Sequence, residues 1–245
     1  MFWTEKEFKL REKFRDYFVD RIRDALIAVN PSWRVMMVEA PLLMPKEFVN
    51  TNYTNDDMFV FDDLVLRPET TPGTYQFIRH LFDDTNSGVK TPVCVWQAGK
   101  SFRREQDQPT KFVRLKEFYQ LEFQCVYAAD SANNYHKALL APVADMICDM
   151  ICLPTRLVKS DRLPSYSLST IDVEVANGDL GEMMEVCSMS LRKDFPGNIK
   201  FTNPKNGKVI EKELLVAEVA IGLDRCVYSF MKRTQIQDVS HTIYD

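Results

Sequence analysis

Hydrophobic and polar positions alternate along this chain with two periods. From Thr4, apolar residues recur at helical spacing: Phe8, Phe14, Phe18, Ile22, Leu26 and Val29. Lys9, Arg11, Lys13, Arg15 and Asp16 fall on the opposite face. That pattern predicts an amphipathic helix. Thr4 and Glu7 have the spacing of a capping box, and Asn30-Pro31 ends the helix. A strand follows over Arg34 to Glu39, then a polar, loop-rich stretch from Met44 to Asp63. Leu64 to Leu66 is a short strand, and a helix runs from about Thr74 to Phe82. Pro92 to Ala98 reads as a buried strand leading into Gly99 to Gln124, which reads as two strands around a charged loop. His136 to Leu153 has a largely apolar helical face, with His136 at the surface in its first turn. Arg156 to Tyr166 is polar and is expected to be loop. Ser167 to Val175 and Glu182 to Ser190 alternate as strands about an Asn177-Gly178 turn. Asn206-Gly207 marks another hairpin. Glu213 to Ile221 is an apolar strand, and Gly222 opens a last helix over Cys226 to Lys232.

Alternation sends every second side chain of a strand to one face. Arg103 and Glu105 therefore share a face, as do Phe118, Gln120 and Glu122. A cation, an aromatic plate and carboxylates on one sheet surface suit a nucleotide: guanidinium for phosphate oxygens, ring for the base, acids for amines or metal.

The order Phe-Arg-x-Glu, loop, Arg-x-x-x-Phe-x-x-x-Glu resembles motif 2 of the class II aminoacyl-tRNA synthetases, over about residues 97–124. The helix, strand and proline before it resemble motif 1, at about 14–45. VAEVAIGLDR resembles motif 3, at about 216–232. LRPETTPGTYQFIRH and QAGKSFRRE are similar to segments of glycyl-tRNA synthetases. The resemblance implies an α+β fold, an antiparallel sheet flanked by helices, in a single catalytic domain over 1–245. Only about twenty residues follow Arg225, so no anticodon-binding domain is expected.

The resemblance also implies a reaction and a site. An amino acid, glycine by the closest likeness, would be activated by ATP to an adenylate and passed to the 3′ end of tRNA. Arg103 would meet the α-phosphate and Arg114 the γ-phosphate. Phe118 and Arg225 would enclose the adenine, with Glu105 near its amine. Glu185, with Ser188, would hold Mg²⁺. Glu69, Glu122 and Glu218 would surround the substrate ammonium, and Arg192 would meet its carboxylate. Two positions depart from the family: Ala220 stands where a serine is usual, and Asp224 where a glutamate or glycine is commoner. The implied partners are the amino acid, a tRNA acceptor end and a second copy of the chain in a homodimer. Two alternatives are a paralogue that transfers the activated amino acid to a protein, carrier or small molecule, and a non-catalytic binding relative.

Composition adds limits. Net charge is −4, so a strongly basic nucleic-acid footprint is absent. No apolar run is long enough to span a bilayer, and the first residues lack the apolar core of a signal peptide. Six cysteines scattered through apolar segments suggest buried free thiols in a reducing, cytoplasmic setting. Cys148 and Cys152 lie one helical turn apart, but the three histidines offer them no evident zinc partners.

Overall fold

A computed structural model describes residues 4–49, 53–83, 90–104, 114–161, 163–176, 183–195, 199–202 and 209–242. Side chains of 199–202, 209–212 and 234–242 are outside that description. The chain opens with α1 (Glu5–Val29), started by the expected box: Glu7 N–H donates to Thr4 Oγ1, and Thr4 N–H to Glu7 Oε2 at 2.7 Å. Phe14, Phe18, Val19, Ile22 and Leu26 are buried along one face. Phe8 and Val29 are exposed where the periodicity places them inward, because they lie at the helix ends, beyond that buried run. Arg11 departs the other way. It is buried, with its guanidinium carbon 3.6 Å from the centre of the Tyr119 ring.

The main sheet has seven strands in the order β1-β5-β6-β12-β9-β8-β7. These are β1 (Arg34–Met37), β5 (Val93–Phe102), β6 (Glu117–Ala128), β7 (Thr155–Lys159), β8 (Ser167–Ala176), β9 (Met183–Arg192) and β12 (Leu214–Gly222). Only β1 and β5 pair in parallel; every other neighbouring pair is antiparallel. α1, α3 (Tyr135–Ile151) and α4 (Leu223–Thr242) cover one face of the sheet. There Phe123, Cys125, Val219, Ile221, Cys187 and Met189 meet Phe14, Phe18, Leu139 and Val143 in the main core. α2 (Thr71–Asp83) lies on the other face, where Tyr75 and Ile78 pack on Val93, Val95, Val126 and Val216. The fold is the α+β arrangement expected.

Several expectations need correction. Arg156 to Tyr166 is not all loop, since β7 pairs with β8 as an edge strand. Its outward Arg156 and Lys159 masked the strand pattern, as charges on edge strands do. The stretch 44–63 holds β2 (Leu43–Pro45) and β3 (Phe59–Phe61), which flank β4 (Leu64–Leu66) in a small separate sheet. Three-residue strands are too short to show a period. α2 begins at Thr71 rather than Thr74. His136 is buried, its Nε2 3.1 Å from the Met189 carbonyl oxygen. Of the cysteines, Cys152 is exposed and Cys148 half-buried; Cys94, Cys125, Cys187 and Cys226 are buried, and all six are free. Cys152 ends α3 in the left-handed region (φ 56°), which turns it outward from the helix. β10 (Ile199–Thr202) and β11 (Val209–Lys212) form the expected second hairpin. Both Asn-Gly turns lie outside the described residues. Among the described residues, no helix is long and apolar enough to cross a membrane.

Candidate active site

Register decides which side chains face away from the three helices. Glu218 pairs with Gln124 and Ser190, Ala220 with Glu122 and Ser188, and Gly222 with Gln120. Cross-strand partners share a face, so β6, β12 and β9 together offer acids, amides and hydroxyls on one surface. β9 carries a bulge that the sequence alone does not reveal. Val173 pairs with Cys187 but Glu174 with Glu185, leaving Val186 as an extra residue. Met184, Val186 and Cys187 all point into the core. The inserted residue thereby moves Glu185 to the polar face, which strict alternation from Cys187 and Met189 would deny it.

A buried acid cluster occupies the centre. Glu122 accepts from Thr70 N–H at 3.0 Å, from the hydroxyls of Thr70 and Thr71, and from the Gln120 amide. Glu218 Oε1 accepts from Arg192 Nη1, from Gln124 Nε2 at 2.9 Å and from Thr71 Oγ1 at 3.1 Å. Glu69 Oε2 accepts from the Tyr53 hydroxyl at 2.9 Å. Its Oε1 lies 3.5 Å from Arg192 Nη2 but is buried without a hydrogen bond. Gln124 Oε1 is likewise buried and unpaired. Arg192 is 1% exposed. It donates from Nε and Nη2 to Asp194 at 3.0 and 2.8 Å and lies over the Tyr166 ring at 4.0 Å.

Burial pushes the Glu69 carboxyl up, with Arg192 opposing. Burial, then Glu69 and Glu218, raises Glu122 to about 7, while the Thr70 donors pull the other way. Glu69, Glu218 and Asp194 thus converge around one guanidinium, Glu122 joins them through Thr71, and one acceptor oxygen of Glu69 receives no hydrogen bond. Buried carboxyls of this kind are relieved by keeping a proton or by a cation that carries N–H donors.

A loop from Arg67 to Thr70 holds this cluster in place. Arg67 is buried, donating from Nε to the Lys100 carbonyl and from Nη1 to the Ala40 carbonyl and Gln97 Oε1. A Cβ on Gly99 would lie 2.3 Å from Arg67 Nη2, so glycine is what admits the arginine. Beside the loop, Arg103 Nε donates to the Pro68 carbonyl at 3.0 Å. Its guanidinium carbon lies 5.3 Å from the Phe118 ring centre and 5.6 Å from that of Tyr53. Further along, Arg225 Nη1 donates to the Glu185 carbonyl at 2.9 Å and lies 3.5 Å from Glu185 Oε1. Burial raises the Glu185 carboxyl, and Arg225 counters it.

The structure therefore gathers Glu69, Glu122, Glu218 and Arg192 in one cluster. It sets Arg103 on Phe118 and pairs Arg225 with Glu185. Ser188 lies on the same face, opposite Asp172 and Ala220. Arg114 is exposed at the edge of the site. Glu105, and the loop over 105–113, lie outside the described residues. Sequence reasoning missed Tyr53, Thr70, Thr71, Gln124, Asp194 and Tyr166. Gln124 was accessible from its alternation with Glu122. The two tyrosines come from irregular segments and carried no signal.

Residues 53–233 match the family described as the tRNA synthetase class II core domain (G, H, P, S and T). Glycine–tRNA ligase from Mycoplasmopsis synoviae is 28% identical over 181 residues, covering 69% of this chain and 39% of that protein. The same-named protein of Cutibacterium acnes is 28% identical over 188 residues, covering 71% of this chain and 39% of its own length. The chain spans about two-fifths of the length of these curated relatives. Giardia lamblia prolyl-tRNA synthetase, solved in complex with prolyl-adenylate, has a TM-score of 0.66 at 15% identity over 91% of this chain and 47% of that one. The Cryptosporidium parvum prolyl enzyme complexed with halofuginone and AMPPNP gives 0.65 at 14%, over 90% of this chain and 46% of that one. These likenesses speak to the fold.

Proposed function

We propose that this chain, which belongs to the class II tRNA synthetase core-domain family, activates glycine with ATP and passes it to the 3′ end of tRNA. The observation that carries the reading is the buried acid cluster, in which Glu69 Oε1 receives no hydrogen bond. A substrate without a side chain offers mainly its ammonium for recognition, and Glu69, Glu122 and Glu218 present acceptors for it. The substrate carboxylate would share Arg192 with Asp194 and Glu218. One carboxylate oxygen then attacks the α-phosphorus of ATP. A new O–P bond forms as the bond to pyrophosphate breaks, and the leaving group takes the electron pair. No proton need move in that step, so positioning and charge stabilisation supply the acceleration.

Arg103 would bear on the α-phosphate and Arg114 on the γ-phosphate. Phe118 and Arg225 would enclose the adenine, and Glu105 would meet its amine. Among the described residues, no group of three or more acidic, cysteine or histidine side chains gathers as a metal cage. Mg²⁺ in nucleotide sites is instead held by one or two carboxylates plus the substrate phosphates. Glu185 and Ser188 fit that pattern, and the ion would supply charge neutralisation there.

The small sheet supports a homodimer. Its inner face, Met44 and Val65, is buried. Its outer face carries Leu43, Phe61 and Leu64 in the open, beside exposed Leu42 and Phe48. A cytoplasmic setting accords with six free thiols.

The test is pyrophosphate exchange into ATP with each amino acid offered separately. Exchange with glycine alone is expected. Exchange with a different amino acid would discard glycine, and none with any would overturn the activation reading. Arg103→Ala should lower the rate by roughly a hundredfold or more while the chain stays folded.

A further inference from the structure

Asp224 lies outside the chemistry above, yet its carboxylate joins the two elements that carry Phe118 and Arg225. The β6–β12 ladder ends where Gly222 faces Gln120. One residue further along β6, Tyr119 has no strand residue opposite it on that side. Asp224, in the first turn of α4, fills the gap: its Oδ2 accepts from Tyr119 N–H at 2.9 Å. The carboxylate thus extends the ladder by one rung after the strand has turned into a helix. Its sequence neighbour is Arg225, and the neighbour of Tyr119 is Phe118.

The Asp224 side of the joint is buried, while Tyr119 is half-buried. Asp224 is 6% exposed, and its Oδ1 is buried without a hydrogen bond. Arg11 of α1 lies 3.6 Å from the centre of the Tyr119 ring, and Lys100 of β5 lies 5.7 Å from it on the paired strand. Glu117 of β6 is bound to Lys100. Tyr119 is therefore held by its backbone to α4 and by its ring to α1, leaving Phe118 little freedom relative to Arg225.

We propose that Asp224 is a positioning residue that sets the separation between Phe118 and Arg225, and so the width of the adenine slot. This rests on the assignment of those two residues to ATP. The acceptor oxygen is what the role needs, because the donor is a neutral backbone N–H. Asparagine keeps such an oxygen and alanine does not.

The experiment measures ATP binding by calorimetry with Mg²⁺, and KM for ATP and for glycine by exchange, in the native chain, Asp224→Ala and Asp224→Asn. Asp224→Ala should weaken ATP binding and raise its KM by about tenfold, with the glycine KM unchanged. Asp224→Asn should restore ATP binding to within about threefold of native. Unchanged ATP affinity in Asp224→Ala, equal loss for both substrates, or an Asp224→Asn as weak as Asp224→Ala would each overturn the proposal. Should Asp224→Ala fail to fold, Asp224→Ser removes the same reach. Unfolding of both would assign Asp224 to stability alone and overturn the slot role. A native chain that binds no ATP removes the slot and the inference with it. One that binds ATP without exchange overturns the activation reading, and the binding comparison still decides Asp224.

Discussion

Glu122 shows how burial and function pull on one side chain. It is 2% exposed among two other acids, and its carboxyl is raised from 4.5 to about 7. The folded chain therefore keeps this proton to near pH 7, whereas the unfolded chain releases it near the ordinary value. The folded state binds the extra proton between those limits, so stability is greatest below them and falls as pH rises through about 7. The expected loss is on the order of 3 kcal/mol. Urea unfolding at pH 5 and pH 8 should show it, and Glu122→Gln should show a smaller fall. A steeper fall in the variant would place the titration elsewhere. On the proposed reading a bound ammonium favours the ionised form, so glycine should raise the melting temperature more at pH 8, where Glu122 has already lost its proton, than at pH 6.

At the scale of elements, sequence was informative where the pattern was long. α1, β6, β12 and the hairpin of β8 and β9 followed from their periods, and so did the shared face of Gln120 and Glu122. The acids Glu69, Glu122 and Glu218 lie in one buried cluster, which the strand register of β6 and β12 sets up for the latter two. What was not legible has local causes. The bulge at Val186 adds one residue to one strand, and no property of valine announces it. Arg11 looked like a solvated helix residue because charge alone does not reveal an aromatic ring waiting opposite. Asp194 follows the end of β9, where alternation stops predicting direction. Gly99 is a sharper case, since its role appears only once Arg67 is seen beneath it. Gly99→Ala should destabilise the chain by roughly 1–3 kcal/mol, the usual cost of overpacking. It should also slow exchange by displacing Arg67, and with it the loop bearing Glu69. A variant with native stability and native rate would show that the arginine has room to move.

For the whole molecule, the three helices and the buried acid cluster take opposite faces of the large sheet. One face is filled by Phe123, Cys125, Val219 and Ile221, while the other carries the acids and amides beside the second apolar cluster under α2. The small sheet of β2, β4 and β3 is different, because both its faces are apolar. Met44 and Val65 are buried, while Leu43, Phe61 and Leu64 remain 44%, 55% and 38% exposed. If a second chain covers that outer face, light scattering should give about twice the 28.5 kDa chain mass. The consequence reaches into thermodynamics. Folding and association then draw on the same surface, so the unfolding midpoint is a function of how many chains share the solution. Diluting the protein a hundredfold should lower the urea midpoint, with the small sheet loosening first. A midpoint independent of dilution would mean that the outer face contributes nothing to holding the chain folded.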